Sequence, residues 1–315
     1  MTSAGVCCPA CGGPLLAGRR VPSGEPADPR LFELLRCAAC GSAMTAGEPP
    51  GPEAYERGVY APGGPRAAAG VRVLQRAVVG QAARSLRRAG LAPGARVLDV
   101  GAGTGRLVAD LAARGYAASG IEPAARSAAA AAAGGLGPAV ARATIDDHSE
   151  RDLDAIVLWH VLEHLDDPRA ALRRLRGWLR PGGLLLVAVP NPGSLQARIA
   201  GAAWMHWDAP RHRVHLTPRG LRALLGATGF EQVRAEHLVW EHNPGAMWMA
   251  LLSRFGLPPA LPFHLLKRNA RARPRELALL GAAGPPLLPV ALALEVLAAV
   301  GRRGGTVAVV ARALP

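Results

Sequence analysis

The stretch Arg96-Val-Leu-Asp-Val-Gly-Ala-Gly-Thr-Gly105 decides the fold of this chain. Its first half is a short apolar run, typical of a buried strand, and residues 106–114 carry apolar side chains at helical spacing. A glycine turn between a strand and a helix lets a ligand approach the backbone and the helix N-terminus. The sequence therefore predicts an α/β fold with a nucleotide-type binding site at this turn.

The spacing of the glycines narrows the choice of ligand. Gly101, Gly103 and Gly105 follow a Gly-x-Gly-x-Gly pattern preceded by Asp99, unlike the Gly-x-Gly-x-x-Gly of dinucleotide enzymes. A carboxylate at Asp99 would repel a pyrophosphate but suits the cationic amino-acid portion of S-adenosylmethionine (SAM). A second predicted strand, residues 117–121, leads to Glu122, an acid placed to accept hydrogen bonds from both ribose hydroxyls.

Several ordered motifs together resemble one known family. The run 97–105 resembles motif I of the class I SAM-dependent methyltransferases, and Glu122 matches their ribose acid. Residues 154–164, with a loop ending in Glu-His, and residues 179–191 resemble the next strands of the ubiquinone-type O-methyltransferase branch. The resemblance implies a Rossmann-like seven-stranded sheet whose last two strands, 230–240 and 305–312, pair antiparallel.

The resemblance also implies where SAM binds. Asp99 and the three glycines line the methionine portion, and Glu122 holds the ribose. Trp159, at the end of the predicted fourth strand, is assigned to the same cofactor site. Asp146 or Asp147 is the candidate for the adenine edge, although either could instead cap a helix.

Three residues are candidates for the chemistry. Methyl transfer from a sulfonium is an in-line displacement, so a base is needed only where the acceptor must lose a proton. His160 follows the predicted fourth strand at the ligand edge of the sheet, where a packing role is the alternative. Asp208 and His212 lie in a segment resembling one that the family branch places over its substrate pocket. There Asp208 would orient His212 and Arg211 would grip an acidic acceptor; a plain helix-entry loop is the alternative.

The first 40 residues carry all five cysteines. Cys8 and Cys11 form one CxxC-Gly pair and Cys37 and Cys40 form another, which is the ligand pattern of a closed tetrahedral zinc site. Such a site has no open position, so the predicted zinc is structural. Disulfides are the alternative, and the absence of a secretory signal disfavours them.

The chain is predicted to have three parts. Residues 1–45 form the zinc ribbon, 46–70 a Pro/Gly-rich linker, and 71–315 the SAM-dependent methyltransferase domain. Within the last part, residues 241–303 form an apolar helical insertion or lid. Its run 277–294 has no charge, but Pro285, Pro286 and Pro289 are expected to break it, which disfavours a membrane span.

Composition bears on partners and location. The 315 residues carry 37 Lys+Arg and 23 Asp+Glu, and half are apolar, which allows a sizeable core. The arginines are not interleaved with aromatic residues, so a solvated basic surface is favoured over nucleic-acid binding. We expect a cytoplasmic enzyme that methylates a small or medium-sized acceptor, with a hydrophobic acceptor as one possibility and O-methylation marginally preferred. Peripheral membrane contact or homodimer formation is possible. A SAM-binding regulatory or docking module and an RNA methyltransferase are the alternatives.

Overall fold

The computed structural model describes residues 7–56, 80–241 and 243–315. Most of the predicted linker and residues 71–79 of the predicted methyltransferase domain lie outside these residues. The chain divides into two compact units. We call them the cysteine unit (Met1–Gly51, Pro190–Leu221 and Glu236–Val307) and the sheet unit (Pro52–Val189, Arg222–Ala235 and Ala308–Pro315).

The elements follow in chain order. The strands are β1 (Leu15–Pro22), β2 (Leu31–Cys37), β3 (Ala43–Thr45), β4 (Arg96–Val100), β5 (Ala117–Ile121), β6 (Val140–Ala141), β7 (Leu153–Trp159), β8 (Leu179–Pro190), β9 (Val214–His215), β10 (Phe230–Glu236) and β11 (Thr306–Ala313). The helices are α1 (residues 80–88 as described), α2 (Arg106–Ala113), α3 (Ala125–Ala131), α4 (Pro168–Trp178), α5 (Leu195–Ala200), α6 (Pro218–Ala227), α7 (Asn243–Ser253), α8 (Leu261–Lys267) and α9 (Pro274–Val300).

The central sheet has seven strands in the order β10-β11-β8-β7-β4-β5-β6. β4 pairs parallel with β5 on one side and with β7 on the other, and its residues Val97 and Leu98 are fully buried. Both faces of such a parallel strand are covered, which explains its nearly continuous apolar run. The predicted Rossmann-like sheet is confirmed, and its winding reverses beside β4, where such sheets bind ligands.

The last two strands are neighbours, as predicted, since β11 lies between β8 and β10. β10 ends at Glu236, four residues before the expected end at Trp240. The chain then enters the three helices of the insertion, α7 to α9, before it returns as β11.

The N-terminal strands share a sheet with a much later segment. β1, β2 and β3 are antiparallel, and the short strand β9 adds to the edge of β3. One hydrophobic cluster joins Val21 and Leu34 of these strands to Trp204 and Trp207, and to Ala250 of α7. Residues 7–45 therefore pack as part of the cysteine unit. The predicted domain boundaries themselves remain a prediction.

The expectation that Pro285, Pro286 and Pro289 break the last apolar run is wrong. All three lie inside α9, which is continuous over 27 residues. A proline inside a helix removes one backbone donor and crowds the carbonyl four residues earlier, but tertiary packing can outweigh this local cost. Here α7 packs along α9, and the indole Nε1 of Trp248 donates to the Gly284 carbonyl at 2.8 Å, just before the first two prolines.

Among the described residues, α9 is the one helix long and apolar enough to cross a membrane by length and composition. Only 11% of its most apolar 18-residue window is buried within the protein. Its other face packs on α7 and, near its C-terminus, on α5. This lateral packing and the return of the chain into β11 favour a surface helix over a span.

A buried carboxyl group anchors the end of α9. Glu295 is fully buried, and its oxygens accept hydrogen bonds from the Gly305 amide (2.8 Å) and from Gln196 Nε2 (3.0 Å). Gln196 in turn accepts from Trp204 Nε1 at 2.9 Å. Burial raises the pKa of Glu295 to about 7, against the hydrogen bonds that lower it. This network ties α9 to α5 and to the start of β11.

The pKa of Glu295 predicts a pH dependence of stability. Between pH 4.5 and about 7 the folded state keeps a proton on Glu295 that the unfolded state has released, so the stability contributed by this group falls as pH rises through this range and levels off above it. Glu295→Gln should therefore gain about 3 kcal/mol relative to the wild type between pH 4 and pH 8. Urea unfolding across this range measures the difference. Glu231→Gln, an exposed site on β10, is the control; parallel profiles for Glu295→Gln and the wild type would contradict the assignment.

Candidate active site

The turn after β4 is held open by glycine. Gly101 has a φ of 74°, and a methyl group on its Cα would lie 2.5 Å from a Val161 methyl carbon. Only glycine combines this left-handed backbone with so close an approach. The amides of Gly101 and Ala102 both donate to the Ile121 carbonyl (2.8 and 3.0 Å), which pins the turn to the end of β5.

Glu122 is fixed against the same turn. One of its oxygens accepts from the Gly103 amide (2.7 Å) and the other from the Ala124 amide (2.8 Å). Burial raises the pKa of this carboxyl group, while the two amides oppose the shift. The predicted ribose acid thus lies beside the predicted methionine-binding glycines.

Two further cofactor candidates are carried to this edge by neighbouring strands. Asp99 is 4% exposed in β4, two residues before Gly101. Trp159 is half-buried at the last position of β7. Since β4, β5 and β7 are parallel, their carboxyl ends meet at one edge of the sheet.

The two adenine candidates lie in an exposed turn. The Asp146 carboxylate binds Arg174 at 3.2 Å, and Asp147 accepts the Thr144 hydroxyl at 2.7 Å. No helix occurs in the described segment 142–152, so neither acid is a helix cap. An adenine-binding role for either residue stays a prediction.

His160 is held in an uncommon conformation directly after β7. Its φ is 56°, and its backbone amide donates to the Ala188 carbonyl of β8 at 2.9 Å. Its Nδ1 lies 3.1 Å from an oxygen of Glu163, which is 1% exposed. A carboxylate only accepts, so Nδ1 carries the hydrogen and Nε2 is the nitrogen that can take a proton.

The second histidine candidate belongs to the cysteine unit. His212 Nδ1 lies 2.8 Å from the His206 carbonyl and therefore donates to it. Its Nε2 is 3.8 Å from Asp208, an ion-pair distance longer than a hydrogen bond. The backbone carbonyl, more than Asp208, thus orients His212. Catalytic roles for His160, Asp208 and His212 stay predictions.

Arg211 has carboxylate partners within the protein. It is 2% exposed, its Nε donates to Asp208 at 3.1 Å, and its Nη1 donates to Glu25. The expected grip on an acceptor is therefore not what the structure shows for this side chain. Sequence reasoning missed Glu25, since no pattern links two residues 186 positions apart.

The four paired cysteines converge. The Sγ atoms of Cys8 and Cys40 are 3.7 Å apart, those of Cys11 and Cys37 are 3.5 Å apart, and all four lie within 4.8 Å of one another. Four thiolates at ~2.3 Å from a tetrahedral zinc would be ~3.8 Å apart. Burial raises the pKa of Cys37, but the Cys40 amide and the Cys11 thiol outweigh it and lower that pKa to about 7. No disulfide joins any of the five cysteines.

Comparison with known proteins agrees with this arrangement. A family model described as a methyltransferase domain matches residues 74–235, just over half of the chain. The ubiquinone biosynthesis O-methyltransferase of Dinoroseobacter shibae is 30% identical over 195 residues, which are 58% of this chain and 77% of that protein. The same enzyme of Azorhizobium caulinodans is 32% identical over 175 residues, 51% of this chain and 68% of that protein.

A solved complex of the Haloferax volcanii Trm112 methyltransferase activator with a methyltransferase shares the fold. The matched chain of that complex is 14% identical to this one, with a TM-score of 0.50. The match covers 78% of this chain and 93% of that chain. The chain belongs to the SAM-dependent methyltransferases. It is an enzyme that transfers a methyl group from SAM to a small-molecule acceptor, and neither alternative function is favoured.

The geometry of Glu122 predicts its effect on SAM binding. Glu122→Ala removes a carboxylate that orders the Gly103 amide and lies where the ribose is expected. We expect the Kd for SAM to rise about tenfold to a hundredfold, the loss typical of one or two charged hydrogen bonds. Isothermal titration calorimetry measures it. Asp110→Ala, which removes an exposed ion pair with Arg114, should leave the Kd unchanged. Equal affinity for Glu122→Ala and the wild type would remove Glu122 from the site.

Proposed function

We propose that the enzyme methylates a hydroxyl oxygen of a small, apolar acceptor. The observation that carries the proposal is the pair of His160 and buried Glu163 at the carboxyl end of β7, because a hydroxyl acceptor must lose a proton. The curated relatives are named ubiquinone biosynthesis O-methyltransferases, which supports oxygen as the methylated atom.

Residues of this chain would have separate roles in the reaction. SAM, when bound, supplies an electrophilic methyl group on a sulfonium. Glu122 and the turn at Gly101 would hold the donor, and the bond from Nδ1 of His160 to Glu163 leaves Nε2 as the nitrogen that can accept a proton. With SAM bound, the acceptor oxygen would take its methyl group as the C–S bond breaks, His160 would take the hydroxyl proton, and S-adenosylhomocysteine would leave.

The apolar insertion supports an apolar acceptor. Large apolar side chains of α9 are well exposed: Leu277, Leu288, Val290, Leu292, Leu297 and Val300. Arg268, Arg271, Arg273 and Arg275 are exposed just before or at the start of this helix. An exposed apolar helix that follows a basic segment suits the surface of an anionic membrane, where an apolar acceptor would be dissolved.

A homodimer contact is the other role proposed for the exposed apolar side chains of α9. Flotation with phosphatidylglycerol and phosphatidylcholine vesicles, together with light scattering of the protein alone, discriminates between the two. Location in the cytoplasm stays a prediction.

The proposed chemistry can be tested with a panel of model acceptors. Methyl-labelled SAM is incubated with the enzyme and a set of phenols and catechols bearing alkyl tails, and the labelled product is identified by mass. We expect an O-methyl product, and His160→Ala should lower kcat about 10²- to 10⁴-fold at unchanged SAM affinity. His148→Ala, which removes a contact with Glu150, is the matched control. Label on nitrogen or carbon would overturn O-methylation. Normal turnover by His160→Ala would show that His160 is not the base and that positioning of the substrates is enough for the reaction.

We also propose that Cys8, Cys11, Cys37 and Cys40 hold one structural zinc ion. The converging Sγ atoms and the soft, closed donor set support this choice of metal. Purified protein should contain one zinc per chain by elemental analysis. Cys37→Ser/Cys40→Ser should contain none, whereas Cys7→Ser, at an exposed cysteine outside the cluster, should keep it. Full zinc content in the double variant would contradict the assignment of these cysteines as zinc ligands.

A further inference from the structure

A buried cation connects the N-terminal segment with the segment 206–215. Arg211 is 2% exposed and donates to carboxylates on two sides. Asp208, three residues earlier, accepts from Nε and Nη2, and Glu25 accepts from Nη1. Glu25 comes from the turn between β1 and β2. A buried guanidinium without these acceptors would carry unsatisfied donors, which is costly.

The backbone around Arg211 is held by the same N-terminal segment. The Gly24 amide donates to the Ala209 carbonyl at 2.8 Å. The Thr45 hydroxyl donates to the His212 carbonyl at 2.6 Å, and its oxygen lies 3.0 Å from His215 Nε2. Because the single hydroxyl hydrogen goes to the carbonyl, His215 must be the donor in the second bond. Burial lowers the pKa of His215 to about 3, so its imidazole is neutral.

Segment 206–215 has little regular structure of its own. Within it the described chain forms the end of a short 3-10 turn at Met205–Trp207 and the two-residue strand β9. β9 exists as a strand because Ala43 and Met44 of β3 pair with it. A segment with little regular structure takes its conformation from what surrounds it, and here the N-terminal segment 23–47 is a large part of those surroundings.

We propose that Glu25 is a positioning residue for methyl transfer. By binding Arg211 it fixes segment 206–215, and with it His212, in one conformation. Together with the pairing of β3 and β9, this contact makes the N-terminal segment the support of the segment that carries His212. The conformational part of this inference stands alone; its effect on turnover rests on the proposed function.

Hydrogen–deuterium exchange of the full-length zinc-loaded protein tests the conformational part. Glu25→Ala should speed amide exchange in 206–215 at least about tenfold and leave 96–122 unchanged. Glu25→Gln keeps an acceptor oxygen for Arg211 and should restore most of the protection. Asp28→Ala, in the same turn but paired with exposed Arg30, is the matched control and should behave as the wild type.

Two further variants guard against a misleading result. A methyl group at Gly24 would lie 1.9 Å from an Asp208 oxygen, so Gly24→Ala should loosen 206–215 without removing any charge. Cys37→Ser/Cys40→Ser should speed exchange in both 23–47 and 206–215, again sparing 96–122. Unchanged exchange at 206–215 in Glu25→Ala and Gly24→Ala would overturn the inference, whatever the activity of the protein.

The kinetic readout separates positioning from general destabilisation. With the alkyl-tailed phenol that is methylated fastest as the probe, Glu25→Ala should raise its KM about tenfold or more while the Kd for SAM stays unchanged. Glu25→Gln should recover most of the KM. An equal rise of KM in Asp28→Ala would contradict a positioning role. A higher Kd for SAM at unchanged KM would contradict it as well. If no phenol is methylated, the proposed function fails while the exchange data still decide the inference.

Discussion

The backbone must leave β4 through a turn that places no side chain against Val161, and the site depends on this constraint. Glycine at position 101 satisfies it, and two amide bonds to the Ile121 carbonyl hold the turn against β5. Glu122 then takes the Gly103 amide, so the acid and the turn position each other. The reversal of strand winding beside β4 supplies the open edge where these groups can meet a ligand.

The cysteine unit shows a second kind of dependence. A four-cysteine cluster near an N-terminus suggests a separate module, yet β9 completes its sheet and Trp204 and Trp207 complete its core. A segment this small buries little apolar surface by itself. Its stability is therefore coupled to residues 190–221, and a metal at the cysteines would order far more than its own loops.

Prediction from sequence succeeded where the signal is local. The glycine turn, the strand that leads to Glu122 and the paired cysteines are each marked by residues close together in the chain, so spacing alone predicts these local structures. It failed at Pro285, Pro286 and Pro289, because a local helix-breaking rule was overridden by the packing of α9 on α7. It also assigned Arg211 to an acceptor, since a sequence pattern does not reveal which charges are already neutralised.

The sequence by itself determined the class of fold, the glycine turn after β4 and the grouping of four cysteines in two pairs, because periodicity and short-range spacing encode them. Only the tertiary structure decided the partners of Arg211, the tautomers of His160 and His212, and the raised pKa of Glu295. Each of these depends on contacts between residues distant in the chain or on burial away from water. Such contacts follow from the packing of the whole fold, and for Glu25 and Arg211 no local pattern records them.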